Sequence, residues 1–125
     1  MTLLLVALGG AVGSVARWAL GGWVQRAAGV QFPSGTLLVN VTGSLLIGVL
    51  ARRLQLGADD VPVARLLLIT GFCGGYTTFS TFSLDTLELL RDGQAERAFA
   101  YVTLSVLLSL GAVWAGYALG GAGRA

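Results

Sequence analysis

The chain has 125 residues, 55% of them hydrophobic and 11% charged, where soluble domains carry roughly 25% charged residues. This balance excludes an ordinary soluble enzyme and predicts a single integral membrane domain over residues 1–125, with no room for a separate catalytic domain. The net charge is +2 without a basic cluster, there is no histidine, and Cys73 is the only cysteine. A nucleic-acid partner, a side-chain zinc site, an intrachain disulfide and a nucleophile–base pair are all poorly supported.

Four apolar stretches approach the roughly 20 residues a spanning helix needs, at about 3–24, 35–54, 63–90 and 98–119. Short connections make sequential helices antiparallel neighbours. The first stretch lacks a basic leader and continues to about Trp23, which suits a retained span rather than a signal peptide. Gly9, Gly13, Arg17 and Gly21 recur every four residues along it and form a ridge that another helix can approach closely. Arg17 has two readings: a snorkelling arginine near a helix end, or a fixed positive charge in a water-filled vestibule that concentrates anions. Trp18 and Trp23 suit an interfacial aromatic belt.

The second span carries Asn40, Gly43, Ser44 and Gly48 at helical spacing. Asn40 serves either as a modest interhelical hydrogen bond or as a polar group on a path through the membrane. The Asp59–Asp60 pair lies in the connection that follows.

The third span is the unusual one. Its segment Gly71-Phe-Cys-Gly-Gly-Tyr-Thr-Thr-Phe-Ser-Thr-Phe-Ser83 mixes glycines and hydroxyls into a membrane-length apolar run. Glycine weakens a helix by about 1 kcal/mol relative to alanine, so a break is expected over Gly74–Thr77, near the membrane midplane. Freed carbonyls there suit a small hard cation, and the half-helix that follows aims its amides at an anion. Phe79 and Phe82 share a face; they are either ordinary packing residues or ring edges presented to an anion. In the fourth span Tyr101, Ser105 and Ser109 form a hydroxyl stripe at i, i+4 and i+8.

Arg52, Arg53, Arg65 and Arg124 fall on one side of the membrane and Arg26, Arg91 and Arg97 on the other, with Arg17 near the latter. The positive-inside rule needs a bias that this distribution lacks. Insertion in both orientations, permitting an antiparallel homodimer, stands beside a single orientation fixed by other features.

The third-span motif resembles the signature of the Fluc/CrcB family of fluoride channels. Gly35-Thr-Leu-Leu-Val-Asn-Val-Thr-Gly43 and Gly9-Gly-Ala-Val-Gly-Ser-Val-Ala-Arg17 are similar to further family motifs, and the resemblance runs through all four spans. One departure is Asp85, where the family more often has Glu. The resemblance implies an all-α, antiparallel dual-topology homodimer in the cell membrane, with two pores for fluoride, each lined by both subunits. It assigns Phe79 and Phe82 to an anion-facing aromatic box, Asn40 to a polar pore position, and Tyr101, Ser105 and Ser109 to a polar track. The backbone carbonyls of Gly74 and Thr77 are implied as ligands of a structural Na+ at the dimer centre. The competing expectation is a small multidrug-resistance-type exporter, which needs a titratable group within the membrane. The interiors of the first, second and fourth spans have none, and Asp85 and Glu88 sit late in the third. A non-transporting assembly subunit would leave the polar positions unexplained.

Overall fold

A computed structural model describes residues 1–56 and 62–123, and all regular structure among them is helical. Helix α1 spans Thr2–Ala28 and α2 spans Ser34–Leu56. A third helical run follows in pieces: α3 (Pro62–Ala64), a wider π-wound stretch (Arg65–Cys73), α4 (Gly74–Tyr76) and, after an interruption, α5 (Phe79–Arg91). Helix α6 spans Ala95–Gly121. Three helices, Thr2–Ala28, Ser34–Gln55 and Ala95–Gly121, are long and apolar enough to cross a membrane. Asp59, Asp60 and Arg124 lie outside the described residues.

The helices pack backbone to backbone, in two layers of contact set by glycine. On α1, Gly9 and Gly13 are buried against the π-wound stretch and α4. A methyl group on Gly13 would collide with the Phe72 carbonyl oxygen and stand 3.0 Å from the Tyr76 nitrogen. A methyl on Gly75 would stand 2.5 Å from the Gly10 carbonyl oxygen. The partner layer joins α2 to α6, where Gly48 meets the Val113 carbonyl and Gly116 meets the Leu45 carbonyl. Lipid is as apolar as a leucine side chain, so such close van der Waals contact, rather than hydrophobic burial, drives association in a membrane.

This packing corrects the expected role of the third-span glycines. Gly74 and Gly75 stay helical, and Gly71 lies in the π-wound stretch. The interruption falls at Thr77 and Thr78, whose backbones are extended (φ −90°, ψ 158° and φ −151°, ψ 114°). Gly71 and Gly75 serve the approach of α1; the threonines make the break.

Candidate functional site

The interruption is held by side chains from three helices. Thr78 caps α5, its Oγ1 accepting the Thr81 N–H at 3.1 Å, the usual way to satisfy an orphan amide at a helix start. The Thr78 N–H donates to Asn40 Oδ1 at 2.8 Å, and Asn40 Nδ2 donates to the Thr78 carbonyl at 3.1 Å. Both donors that a continuous helix would send to the Gly74 and Thr77 carbonyls, the Thr78 and Thr81 amides, are therefore engaged elsewhere. The Gly75 carbonyl receives Arg17 Nε at 3.0 Å and Ser14 Oγ at 3.5 Å. Arg17 thus sits as a cation on the carbonyl end of the first half-helix, where the helix dipole favours it. That contact joins the two roles the sequence left open for Arg17 by a third: a cap on the broken helix. From α2, Thr42 Oγ1 and Tyr76 Oη lie 2.8 Å apart, which fixes the last residue before the break.

Two cavities meet at Thr78. The inner one, about 410 Å³, is lined by Asn40, Ser44, Thr77, Thr78, Phe79, Phe82, Ser105 and Ser109, with Cys73 among the apolar walls. Five of the six pore positions implied by the sequence resemblance are therefore gathered around one space. Phe79 and Phe82 stand 5.5 Å apart, tilted by 46°. Phe79 is 79% exposed, so the single chain leaves its outer side without a wall. Ser105 is buried, and its Oγ has no hydrogen-bond partner. A buried hydroxyl without a partner carries a desolvation cost of about 1–3 kcal/mol.

The outer cavity, about 540 Å³, is lined among others by Arg17, Trp18, Gln25, Arg26, Thr36, Thr81, Asp85 and Glu88. Tyr101 lines neither cavity; it is fully buried behind them. Its ring lies 5.2 Å from Phe82, and its hydroxyl donates to Asp85 Oδ2 at 2.9 Å. Asp85 is thus the acceptor for the head of the polar stripe. Gly74 is exposed and lies outside both cavities.

Sequence reasoning missed two residues that hold this site, Thr42 and Tyr76. Thr78 carries a readable signal, a hydroxyl residue directly before a helix-forming run. Nothing in the sequence pairs Thr42 with Tyr76.

Three apolar spanning helices around a further, interrupted helical run that walls a partly polar cavity define a multi-pass protein of the cell membrane. Residues 4–117 match the family described as CrcB-like protein, Camphor Resistance (CrcB). A protein of Rhizobium meliloti named fluoride-specific ion channel FluC is 54% identical over 117 residues, covering 94% of each chain. A protein of the same name from Nitrobacter winogradskyi is 52% identical over 91% of this chain and 90% of its own. Another, from Agrobacterium fabrum, is 48% identical over 96% of both. The chain belongs to the CrcB family.

Proposed function

We propose that this chain is a fluoride-selective ion channel that lets fluoride accumulated in the cytoplasm leave passively. The observation that carries the reading is the inner cavity, where Asn40, Phe82, Ser105 and Ser109 line one space. Fluoride is small and strongly hydrated, so a selective path must replace its water with closely spaced donors. Ser105 and Ser109 offer hydroxyls, and one Asn40 Nδ2 hydrogen remains beyond the bond to Thr78. The edges of Phe79 and Phe82 add weak positive potential without a charge. Several modest sites in series suit conduction, since the ion must also leave. The names carried by relatives at about half identity agree with this ion.

The working unit in this reading is an antiparallel dual-topology homodimer of one four-span domain, residues 1–125, with two pores. Two features support it: the missing wall beside the exposed Phe79, and the balanced arginines. The Gly74 and Thr77 carbonyls, whose helical donors are redirected, fit the ligand set of a structural Na+ at the dimer centre. When bound, that ion supplies positive charge and ties two interrupted helices together. Neither Gly74 nor Thr77 is asked to do chemistry; they only hold it.

The test is ion efflux from liposomes containing the purified protein, read with fluoride and chloride electrodes. Fluoride release with scarcely any chloride is expected. Equal release of both ions, or of neither, overturns the reading. A flux of organic cations driven by a pH gradient would instead favour the exporter.

A further inference from the structure

The turn between α1 and α2 is pinned by one side chain. Gln25, in the last turn of α1, donates through Nε2 to the carbonyls of Gly29 at 2.6 Å and Phe32 at 2.8 Å. Its Oε1 accepts the Gly35 N–H at 3.0 Å. Both amide hydrogens and the amide oxygen are therefore spent across the turn, and only this orientation of the amide meets two carbonyls and one N–H. Arg97 of α6 reaches the same turn from the other side, with Nη1 3.3 Å from the Gln31 carbonyl.

What the turn carries is Phe32. Its ring stands edge-on to Tyr101, with centroids 5.6 Å apart and planes at 88°. Tyr101 is fully buried, with Phe82 5.2 Å away and Asp85 on its hydroxyl. A continuous line of contacts thus runs from Gln25 through Phe32 and Tyr101 to Phe82, at the rim of the inner cavity.

We infer that Gln25 is a positioning residue for anion selectivity: by pinning the α1–α2 turn it holds Phe32 against Tyr101, and through the buried Tyr101 it fixes Phe82 at the path. The inference rests on the fluoride-channel reading. No part of Gln25 needs to touch the ion, because its amide is fully used within the turn. Its effect therefore passes through Phe32, and that makes it separable from a general loss of folding.

The experiment compares the assembled wild-type protein with Gln25→Ala, Gln25→Glu, Phe32→Leu and the Gln25→Ala/Phe32→Leu double variant. Fluoride and chloride efflux are measured per mole of assembled protein. Gln25→Ala is expected to lower the fluoride-to-chloride ratio by about tenfold, a size usual for residues coupled through contact. Gln25→Glu keeps the acceptor for Gly35 but loses both donors, and should fail alike. Phe32→Leu should reproduce the loss, and the double variant should be no worse than Phe32→Leu alone. A wild-type ratio in Gln25→Ala, or losses that multiply in the double variant, overturns the inference. A spectroscopic arm does not depend on flux: with 3-fluorotyrosine incorporated, the Tyr101 19F resonance (assigned with Tyr101→Phe) should move in Gln25→Ala. An unmoved resonance also overturns it. Wild-type protein that passes no fluoride would sink the channel reading instead, while the 19F result still decides whether Gln25 positions Tyr101.

Discussion

Asn40 grips the backbone of Thr78 from both sides, accepting its N–H at 2.8 Å and donating to its carbonyl at 3.1 Å. One side-chain amide thereby replaces the helical bond that the Thr78 N–H loses and adds a bond to the Thr78 carbonyl. It also diverts the Thr78 N–H from the Gly74 carbonyl. The same residue both permits the break and lines the cavity beside it.

Replacing Asn40 separates these contributions. Asn40→Ala leaves the Thr78 N–H without its partner, at about 1–3 kcal/mol if it stays dry. Asn40→Asp keeps an acceptor for the N–H but turns a carboxylate oxygen towards the Thr78 carbonyl and places negative charge on an anion path. Both variants should lose at least about tenfold in fluoride efflux, a change worth 1.4 kcal/mol. Asn40→Asp should remain dimeric by size-exclusion chromatography. Normal efflux in either variant would remove Asn40 from the path.

The glycine ridge gives a contrast between neighbours. A methyl on Gly13 meets backbone atoms of Phe72 and Tyr76, whereas one on Gly10 finds only the Gly71 carbonyl oxygen, at an ordinary 3.8 Å. Overpacking of a tight contact costs about 1–3 kcal/mol. Gly13→Ala should therefore lower the thermal midpoint of the detergent-solubilised protein, while Gly10→Ala should leave it nearly unchanged. Equal sensitivity would mean that the ridge does not set the approach of α1.

Much of this arrangement was legible in the chain, for a physical reason. Small residues every four positions and hydroxyls at i, i+4 and i+8 are periodic, and periodicity maps directly onto a helix face. The faces bearing Gly9 and Gly13, and Ser105 and Ser109, follow from spacing. The position of the break does not. Glycine weakens a helix in isolation, but Gly75 is held helical by its contact with Gly10, and the chain opens at Thr77–Thr78 because Asn40 and Thr81 supply the partners. Those partners are 38 residues apart in the case of Asn40 and Thr78, a separation that no local pattern encodes. The same holds for Arg17 on the Gly75 carbonyl: its charge was visible, its acceptor was not.

Arg17 distinguishes a cap from a vestibule charge. Its Nε–H bonds the Gly75 carbonyl while the charge faces the outer cavity. Arg17→Lys keeps the charge but replaces a planar, fixed donor by a mobile ammonium; Arg17→Gln loses the charge as well. If the cap matters, both should reduce fluoride efflux and thermal stability, Gln more than Lys. Wild-type efflux in Arg17→Lys together with loss in Arg17→Gln would leave charge alone as the function of Arg17.

The redirected amides beside Gly74 and Thr77 make the protein's cation dependence testable without mutation. Prolonged exchange of the purified protein into buffer containing only a large organic cation should abolish fluoride efflux and lower thermal stability. Restoring Na+ should recover both. Efflux that is indifferent to Na+ throughout would remove the structural ion from the proposal.

Tyr101 and Asp85 form the last coupled pair. The Tyr101 hydroxyl donates to Asp85 Oδ2 at 2.9 Å, and Asp85 lines the outer cavity through which an anion would arrive. Hydrogen bonds to charged groups contribute about 1.5–3 kcal/mol. Tyr101→Phe keeps the ring against Phe32 and Phe82 but leaves the carboxylate without its donor, so the uncompensated charge repels an incoming anion. Fluoride efflux should fall severalfold. Asp85→Asn removes that repulsion, so the Tyr101→Phe/Asp85→Asn double variant should conduct better than Tyr101→Phe alone. Recovery would assign the phenol the task of neutralising an acid at the entrance. No recovery would mean that fluoride needs the hydroxyl itself, whatever stands at position 85.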